Sequence, residues 1–191
     1  EDSVERIQAL FTSEPKEFLS PIENWAKLLE YPVPEFRRVA LDIEVETPTS
    51  VIEGKLTFRV PDPRFADHQV CCASLAGSDG VKRVLVLRRH GVREGTVKIP
   101  AEVSVEYCDT ERELLQGVFD ALWDYPFVVT FNGDDFDLHY LYRRAERLGF
   151  KRSEVPIELG RKTCLLDYGV HIDLYKFFFN RSIQILSLIH I

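Results

Sequence analysis

Residues 39–45 read VALDIEV. Val39, Leu41, Ile43 and Val45 alternate with Ala40, Asp42 and Glu44, the period of two that marks a β-strand with one buried face. Such a segment must lie in a sheet, its aliphatic side against a core. Side chains two apart on a strand share a side, so Asp42 and Glu44 project together from the other face. A second apolar stretch, FVVTFN at 127–132, runs directly into Gly-Asp-Asp-Phe-Asp at 133–137. Acidic side chains are rarely buried unless paired or metal-bound, and ligands gather at strand ends in α/β sheets. Any fold of this chain must therefore accommodate two acidic clusters on or beside strands.

The remaining pattern predicts the elements around them. Val4, Ile7, Leu10 and Phe11 have helical spacing, and a second helix is expected from Pro21 through Trp25, Leu28 and Leu29, broken by Tyr31-Pro32-Val33-Pro34. Residues 46–67, with Pro48, Gly54, Pro61 and Pro63, read as loop. VCCASLAG (70–77) and VKRVLVLRR (81–89) read as strands of a hairpin turned at Gly77-Ser78-Asp79-Gly80, and VSVEYC (103–108) as a further strand. Thr110-Glu111-Arg112-Glu113 is a capping box, followed by an apolar stripe of Leu114, Leu115, Val118, Phe119, Leu122 and Trp123. After the strand at 127–132 comes a helix carrying Leu138, Leu141, Ala145 and Leu148, ended by Gly149. A loop then leads to HIDLYKFFF (171–179), a strand or strand–helix junction. The order predicts an α/β fold with a mixed sheet, a hairpin first and parallel crossovers after it.

Of the 191 residues, 45% are hydrophobic, enough for one domain with a sizeable core. No apolar run approaches the roughly 20 residues that span a bilayer and no signal pattern opens the chain, so a cytoplasmic protein without a membrane partner is expected. The net charge of -7 argues against a nucleic-acid binder, an objection that weakens if the acidic residues serve a cation site. Cys71, Cys72, Cys108 and Cys164 have no zinc-type spacing and read as inert thiols. The chain has no methionine, which suggests a fragment of a longer protein.

Clustered carboxylates without histidine or cysteine suit hard cations such as Mg²⁺ or Mn²⁺. Two such ions can activate a water and hold the leaving oxygen in phosphodiester hydrolysis. Each motif alone has an ordinary reading: D-x-E is common on solvated strand faces, and N-G-D-D is a turn. The chemical reading rests on their occurring together, in order, on predicted strands.

LDIE at 41–44 resembles the first exonuclease motif of family B DNA polymerases, D-x-E. FNGDDFD at 131–137 resembles their second, N-x-x-x-F-D, and HIDLYKFFFNRSIQ at 171–184 is similar to the segment that follows it in the archaeal members. SLAGSDGVKRVLVLRR (74–89) is similar as well, so that the resemblance covers about residues 36–185. It implies a ribonuclease H-like fold, a mixed sheet with flanking helices, and a 3′→5′ proofreading exonuclease within a DNA polymerase. Carried over residue by residue, Asp42, Glu44 and Asp137 are the metal ligands and catalytic carboxylates. Asn132 and Phe136 shape the site and the 3′ end of the substrate. The implied cofactors are two Mg²⁺ or Mn²⁺ ions. The implied partners are single-stranded DNA at its 3′ end, primer–template DNA in the full protein, and replication accessory proteins.

The family's third motif, Y-x-x-x-D, is absent: Tyr168 is followed by Gly-Val-His-Ile and Tyr175 by Lys-Phe-Phe-Phe. The sequence thus predicts a helical remnant at 1–38, an incomplete exonuclease domain at 39–185, and a non-native tail at 186–191, LSLIHI, which departs from the family. Two other readings stay open. One is a stand-alone ribonuclease H-like exonuclease on short nucleic acids, from which only the 171–179 stretch and the 38-residue preamble separate the polymerase reading. The other is a catalytically silent DNA-binding domain. Asp173 reads as structural, Asp134 and Asp135 as turn residues, and Arg143, Arg144, Arg147, Lys151 and Arg152 as a solvated helix end suited to the dipole.

Overall fold

The strand predicted at 39–45 lies inside the main sheet of the structure, with strands on both sides. The computed structural model describes residues 5, 9, 10, 13, 15–32, 34–52, 55–92, 95, 96 and 98–179. The chain divides into two units, Glu1–Glu35 and Phe36–Ile191. In the second, β1 (Arg38–Val45) alternates as expected, with Val39, Leu41 and Ile43 buried and Ala40, Asp42 and Glu44 exposed. It is followed by β2 (Thr49–Ile52), β3 (Lys55–Phe58), β4 (Val70–Gly77), β5 (Lys82–Leu87) and β6 (Ser104–Cys108). Later strands are β7 (Phe127–Thr130), β8 (Ile157–Leu159), β9 (Cys164–Leu166) and β10 (Val170–Asp173).

Six strands form one sheet in the order β10-β7-β1-β4-β5-β6. β4 runs antiparallel to β1 and β5, while β7 and β10 run parallel to β1 and β6 parallel to β5. This is the ribonuclease H-like arrangement the sequence predicts: a three-strand meander, then crossovers that add parallel strands on the far side of β1. The helices that make those crossovers are α2 (Glu111–Asp124) and α3 (Asp137–Arg147). Thr110 caps α2 through a complete capping box, its hydroxyl accepting from Glu113 N–H at 3.2 Å. Leu114, Leu115, Val118, Phe119 and Leu122 of α2 and Leu138, Leu141 and Ala145 of α3 share one core with Leu41, Ile43, Ala73, Leu75 and Leu85 from the sheet. Gly149 takes φ 72°, the left-handed conformation that ends α3.

Three expectations are corrected by the structure. Residues 46–67 are not all loop, because β2 and β3 pair as a small antiparallel ribbon. Likewise β8 and β9 form a hairpin inside the stretch between α3 and β10. In the first unit α1 (Lys16–Glu30) starts five residues before Pro21, which lies inside it. Pro21 lacks the N–H that would bond Glu17, but Leu19, Ile22 and Ala26 continue one helical face across it, with Ala26 buried. Of the earlier helix, Val4, Ile7 and Phe11 lie outside the described residues, as does the expected tail at 186–191. No described helix is long and apolar enough to cross a membrane.

Candidate functional site

Strand direction brings the acidic clusters to one edge. β10, β7 and β1 are adjacent and parallel, so their carboxyl ends lie side by side. Asp42 and Glu44 stand near the end of β1, Asn132–Asp137 follow β7, and Asp173 ends β10. Ligand sites collect at such edges.

Two irregularities shape this edge. The β1–β7 pairing stops at Ala40 opposite Val129, and beyond it the Ile43 N–H has no strand partner on that side. Asp137 Oδ1 accepts that hydrogen at 3.2 Å, joining the second acidic cluster to the strand that carries the first. On the other side of β1, Glu44 pairs with Cys72 but Val45 with Val70, leaving Cys71 as the extra residue of a β-bulge. Bulges re-aim neighbouring side chains, and this one adjoins Glu44.

The carboxylates have contrasting surroundings. Glu44 and Asp42 are exposed on the sheet face. Neighbouring protein nevertheless strips enough water from Asp42 to raise its carboxyl above the ordinary range. Asp137 is 4% exposed, and burial, followed by the repulsion of Asp42 and then of Asp173, pushes its carboxyl up to about 7 against the help of the Ile43 N–H. Among the described residues no Lys, Arg or His forms an ion pair with Asp42 or Asp137, and the cationic groups at this edge lie against Asp134 instead. A buried acid so placed has no ion-pair partner among the described residues, and an all-oxygen donor set suits a hard cation. The donors thus fit Mg²⁺ or Mn²⁺ in kind, although among the described residues no three His, Cys, Asp or Glu side chains are gathered tightly enough to hold an ion.

Asn132 adopts φ 66°, a left-handed conformation that asparagine tolerates better than most residues. Phe136 is half-buried, packs on the core, and has its ring 5.6 Å from that of Tyr140. Cavities of about 660 Å³, at the carboxyl ends of β5 and β6, and about 480 Å³, beside the β8–β9 hairpin, are lined by other residues than Asp42, Glu44 and Asp137.

Sequence reasoning takes Asp134 for a turn residue, yet it is 9% exposed. Its carboxylate accepts from Cys164 N–H at 2.5 Å and lies 3.0 Å from Lys176 Nζ and 3.3 Å from His171 Nδ1. The one available signal was the polar spacing of His171, Asp173 and Lys176 in an otherwise apolar segment. Asp135, by contrast, is an exposed turn residue, and Asp173 is buried against backbone N–H groups.

Known proteins resemble this chain over most of its length. The model of the family described as DNA polymerase family B, exonuclease domain, matches residues 14–185. DNA polymerase 1 of Saccharolobus solfataricus is 45% identical over 185 residues, 96% of this chain and 20% of that protein. The protein of the same name from Aeropyrum pernix is 37% identical over 185 residues, 97% of this chain and 19% of its own length. A solved family B DNA polymerase from Pyrobaculum calidifontis aligns with TM-score 0.49 and 22% identity over 74% of this chain and 16% of that one. This chain therefore spans about a fifth of the length of the curated relatives it matches. It belongs to the family B DNA polymerases and carries sequence of their exonuclease domain.

Proposed function

We propose that this chain supplies most of a 3′→5′ exonuclease site that hydrolyses the terminal phosphodiester of single-stranded DNA with the help of divalent cations, as the editing part of a DNA polymerase. The observation that carries the reading is the edge where Asp137, buried and with its carboxyl pushed up to about 7, accepts from the backbone of the strand bearing Asp42 and Glu44. Asp42, Glu44 and Asp137 would hold Mg²⁺ or Mn²⁺. When bound, the ions supply an activated water and a counter-charge for the leaving oxygen.

The residues of the chain have separable tasks in this reading. Asp42 and Glu44 leave one face of a rigid central strand, a platform that keeps both carboxylates in register. Asp137 starts α3, so its position follows from the helix and from its bond to Ile43. Asn132 and Phe136 flank it and would shape the space for the terminal nucleotide. The substrate, DNA with a free 3′ end, and the assembly with primer–template and accessory proteins belong to the same proposal.

Calorimetric titration with Mn²⁺ at pH 8 tests it. The wild-type chain is expected to bind, and Asp42→Ala to bind at least about tenfold more weakly, since it removes a direct ligand. Equal binding by both proteins would refute the reading.

A further inference from the structure

The loop that leads into Asp137 is held by bonds from outside it as well as by its own. Between Thr130 and α3 the chain passes through left-handed Asn132 and an irregular Phe136 at φ -130°, ψ -79°, which caps α3 without a side-chain hydrogen bond. Gly133 lies so close to Thr130 that a Cβ there would fall 2.2 Å from Oγ1. Internal bonds are few: the Asn132 carbonyl accepts from Asp135 N–H at 3.2 Å and Phe136 N–H at 2.9 Å, and the Gly133 carbonyl from Leu138 N–H at 2.9 Å.

The support comes from β10 and the short helix after it, α4 (Leu174–Phe178). Asp173, 8% exposed, accepts from Asn132 N–H at 2.8 Å and Tyr175 N–H at 3.0 Å through Oδ1, and from Asp134 N–H at 3.2 Å through Oδ2. One buried carboxylate thus fixes two loop residues and the start of α4. Around it, Lys176 reaches Asp134, and His171 stands between Thr130 and Asp134. His171 Nδ1 lies 3.3 Å from both the Cys164 carbonyl and Asp134 Oδ1, and its Nε2 lies 2.8 Å from the Thr130 hydroxyl. The Asp137 carboxylate, in contrast, accepts a single hydrogen bond from outside its own element among the described residues, the one from Ile43. Its placement follows from α3, from the Ile43 bond and from the loop before it, where Asp173 holds the backbone at Asn132 and Asp134.

We propose that Asp173 is a positioning residue for the exonuclease site, holding the 131–137 loop so that Asp137 stays against β1; this rests on the function proposed above. Hydrogen bonds to an ionised acceptor are roughly twice as strong as neutral ones, which suits a carboxylate that fixes a loop residue in a left-handed conformation. An asparagine at 173 keeps an oxygen for Asn132 and Tyr175 but turns an NH₂ toward the Asp134 N–H. An alanine leaves all three N–H groups unpaired.

The test titrates Mn²⁺ into the full 191-residue chain and four variants, well below every unfolding midpoint, with thermal midpoints measured on the same samples. Asp42→Ala checks the underlying site. Asp173→Ala should lose roughly 10–100-fold in Mn²⁺ affinity, the range for loss of outer support, and Asp173→Asn should fall between it and the wild type. Glu111→Gln, which weakens the buried ion pair with Arg144 at the first turn of α2 and touches none of Asp42, Glu44, Asp137 and Asp173, should lower the midpoint but keep the affinity within about twofold. Wild-type affinity in either folded Asp173 variant, beside a weakened Asp42→Ala, overturns the positioning role. So does an equal affinity loss in Glu111→Gln, which would make the effect one of stability alone. If Asp42→Ala binds like the wild type, the site itself is misread and the positioning role falls with it. Should Asp173→Ala not fold, Asp173→Asn decides.

Discussion

Asp137 is where chemistry and stability oppose each other. A carboxyl that titrates near 7 in the fold and near 3.8 when unfolded binds its proton more tightly in the native state. Its contribution is therefore full below about pH 3.8 and is lost as the pH rises through 7. Asp137→Asn keeps an oxygen for the Ile43 N–H without the charge. Without metal, the variant should match the wild type near pH 4 and exceed it by a few kcal/mol at pH 8, since each tenfold change in proton affinity is worth about 1.4 kcal/mol. Mn²⁺ should reverse the order at pH 8, because only the wild type gains a ligand. Urea unfolding of both proteins at the two pH values reads this; a difference that does not change with pH would mean that Asp137 is not buried as described. Gly133 gives a second test. Gly133→Ala drives a methyl into Thr130 and should cost about 1–3 kcal/mol. Thr130→Ala should relieve part of that loss, and strictly additive losses would show that the contact does not limit the loop. The sequence made the acidic residues legible through their position on apolar strands. It did not reveal the clamp, because Asp173 and Asp134 act on backbone groups 41 and 30 residues away, which no spacing reports.

At the scale of elements, the fold depends on one buried ion pair more than on the exposed ones. Glu111, at the first turn of α2, and Arg144, on α3, meet at 2.6 Å with side chains 3% and 12% exposed. Glu111 also accepts from Val70 N–H at 2.8 Å, and Arg144 donates to the Ala66 and Asp67 carbonyls. The pair thus ties both crossover helices to the entry of β4. Removing one partner strands the other charge, so Glu111→Ala should cost about 3–5 kcal/mol in urea unfolding. Arg83→Ala, which breaks a bidentate but more open pair with Glu106, should cost about 1 kcal/mol or less. Similar losses would show that burial does not govern these pairs. Arg144 also shows where sequence reasoning fell short, since a helix-end arginine read as solvated is the anchor of the core. Long periodic elements such as α2, β1 and the β4–β5 hairpin were legible because many residues repeat one pattern. The four-residue strands β2 and β3 and the three-residue strands β8 and β9 were not, since so few alternations are indistinguishable from loop and tertiary placement makes the pairing.

For the whole molecule, the question is how much catalysis the chain supports as given. On the proposed reading it offers Asp42, Glu44 and Asp137, while no Y-x-x-x-D occurs among its 191 residues. In the two-ion mechanism both metals must be held with the attacking water aligned. Three carboxylates leave the second ion weakly held, and without the motif's tyrosine the water lacks an orienting group. A misplacement of about 1 Å can lose roughly a hundredfold in rate. Nor does a net charge of -7 draw DNA to the edge where the carboxylates lie. The chain is therefore expected to shorten a labelled single-stranded oligonucleotide at its 3′ end slowly in Mn²⁺. A version lengthened through a family-type Y-x-x-x-D should act at least about a hundredfold faster. Asp42→Ala should abolish the activity of both, which assigns what is measured to this edge. If the chain as given degrades the oligonucleotide as fast as the lengthened one, the fourth ligand and the tyrosine do not have the roles assigned to them. The carboxylates on β1 and α3 would then suffice for the chemistry.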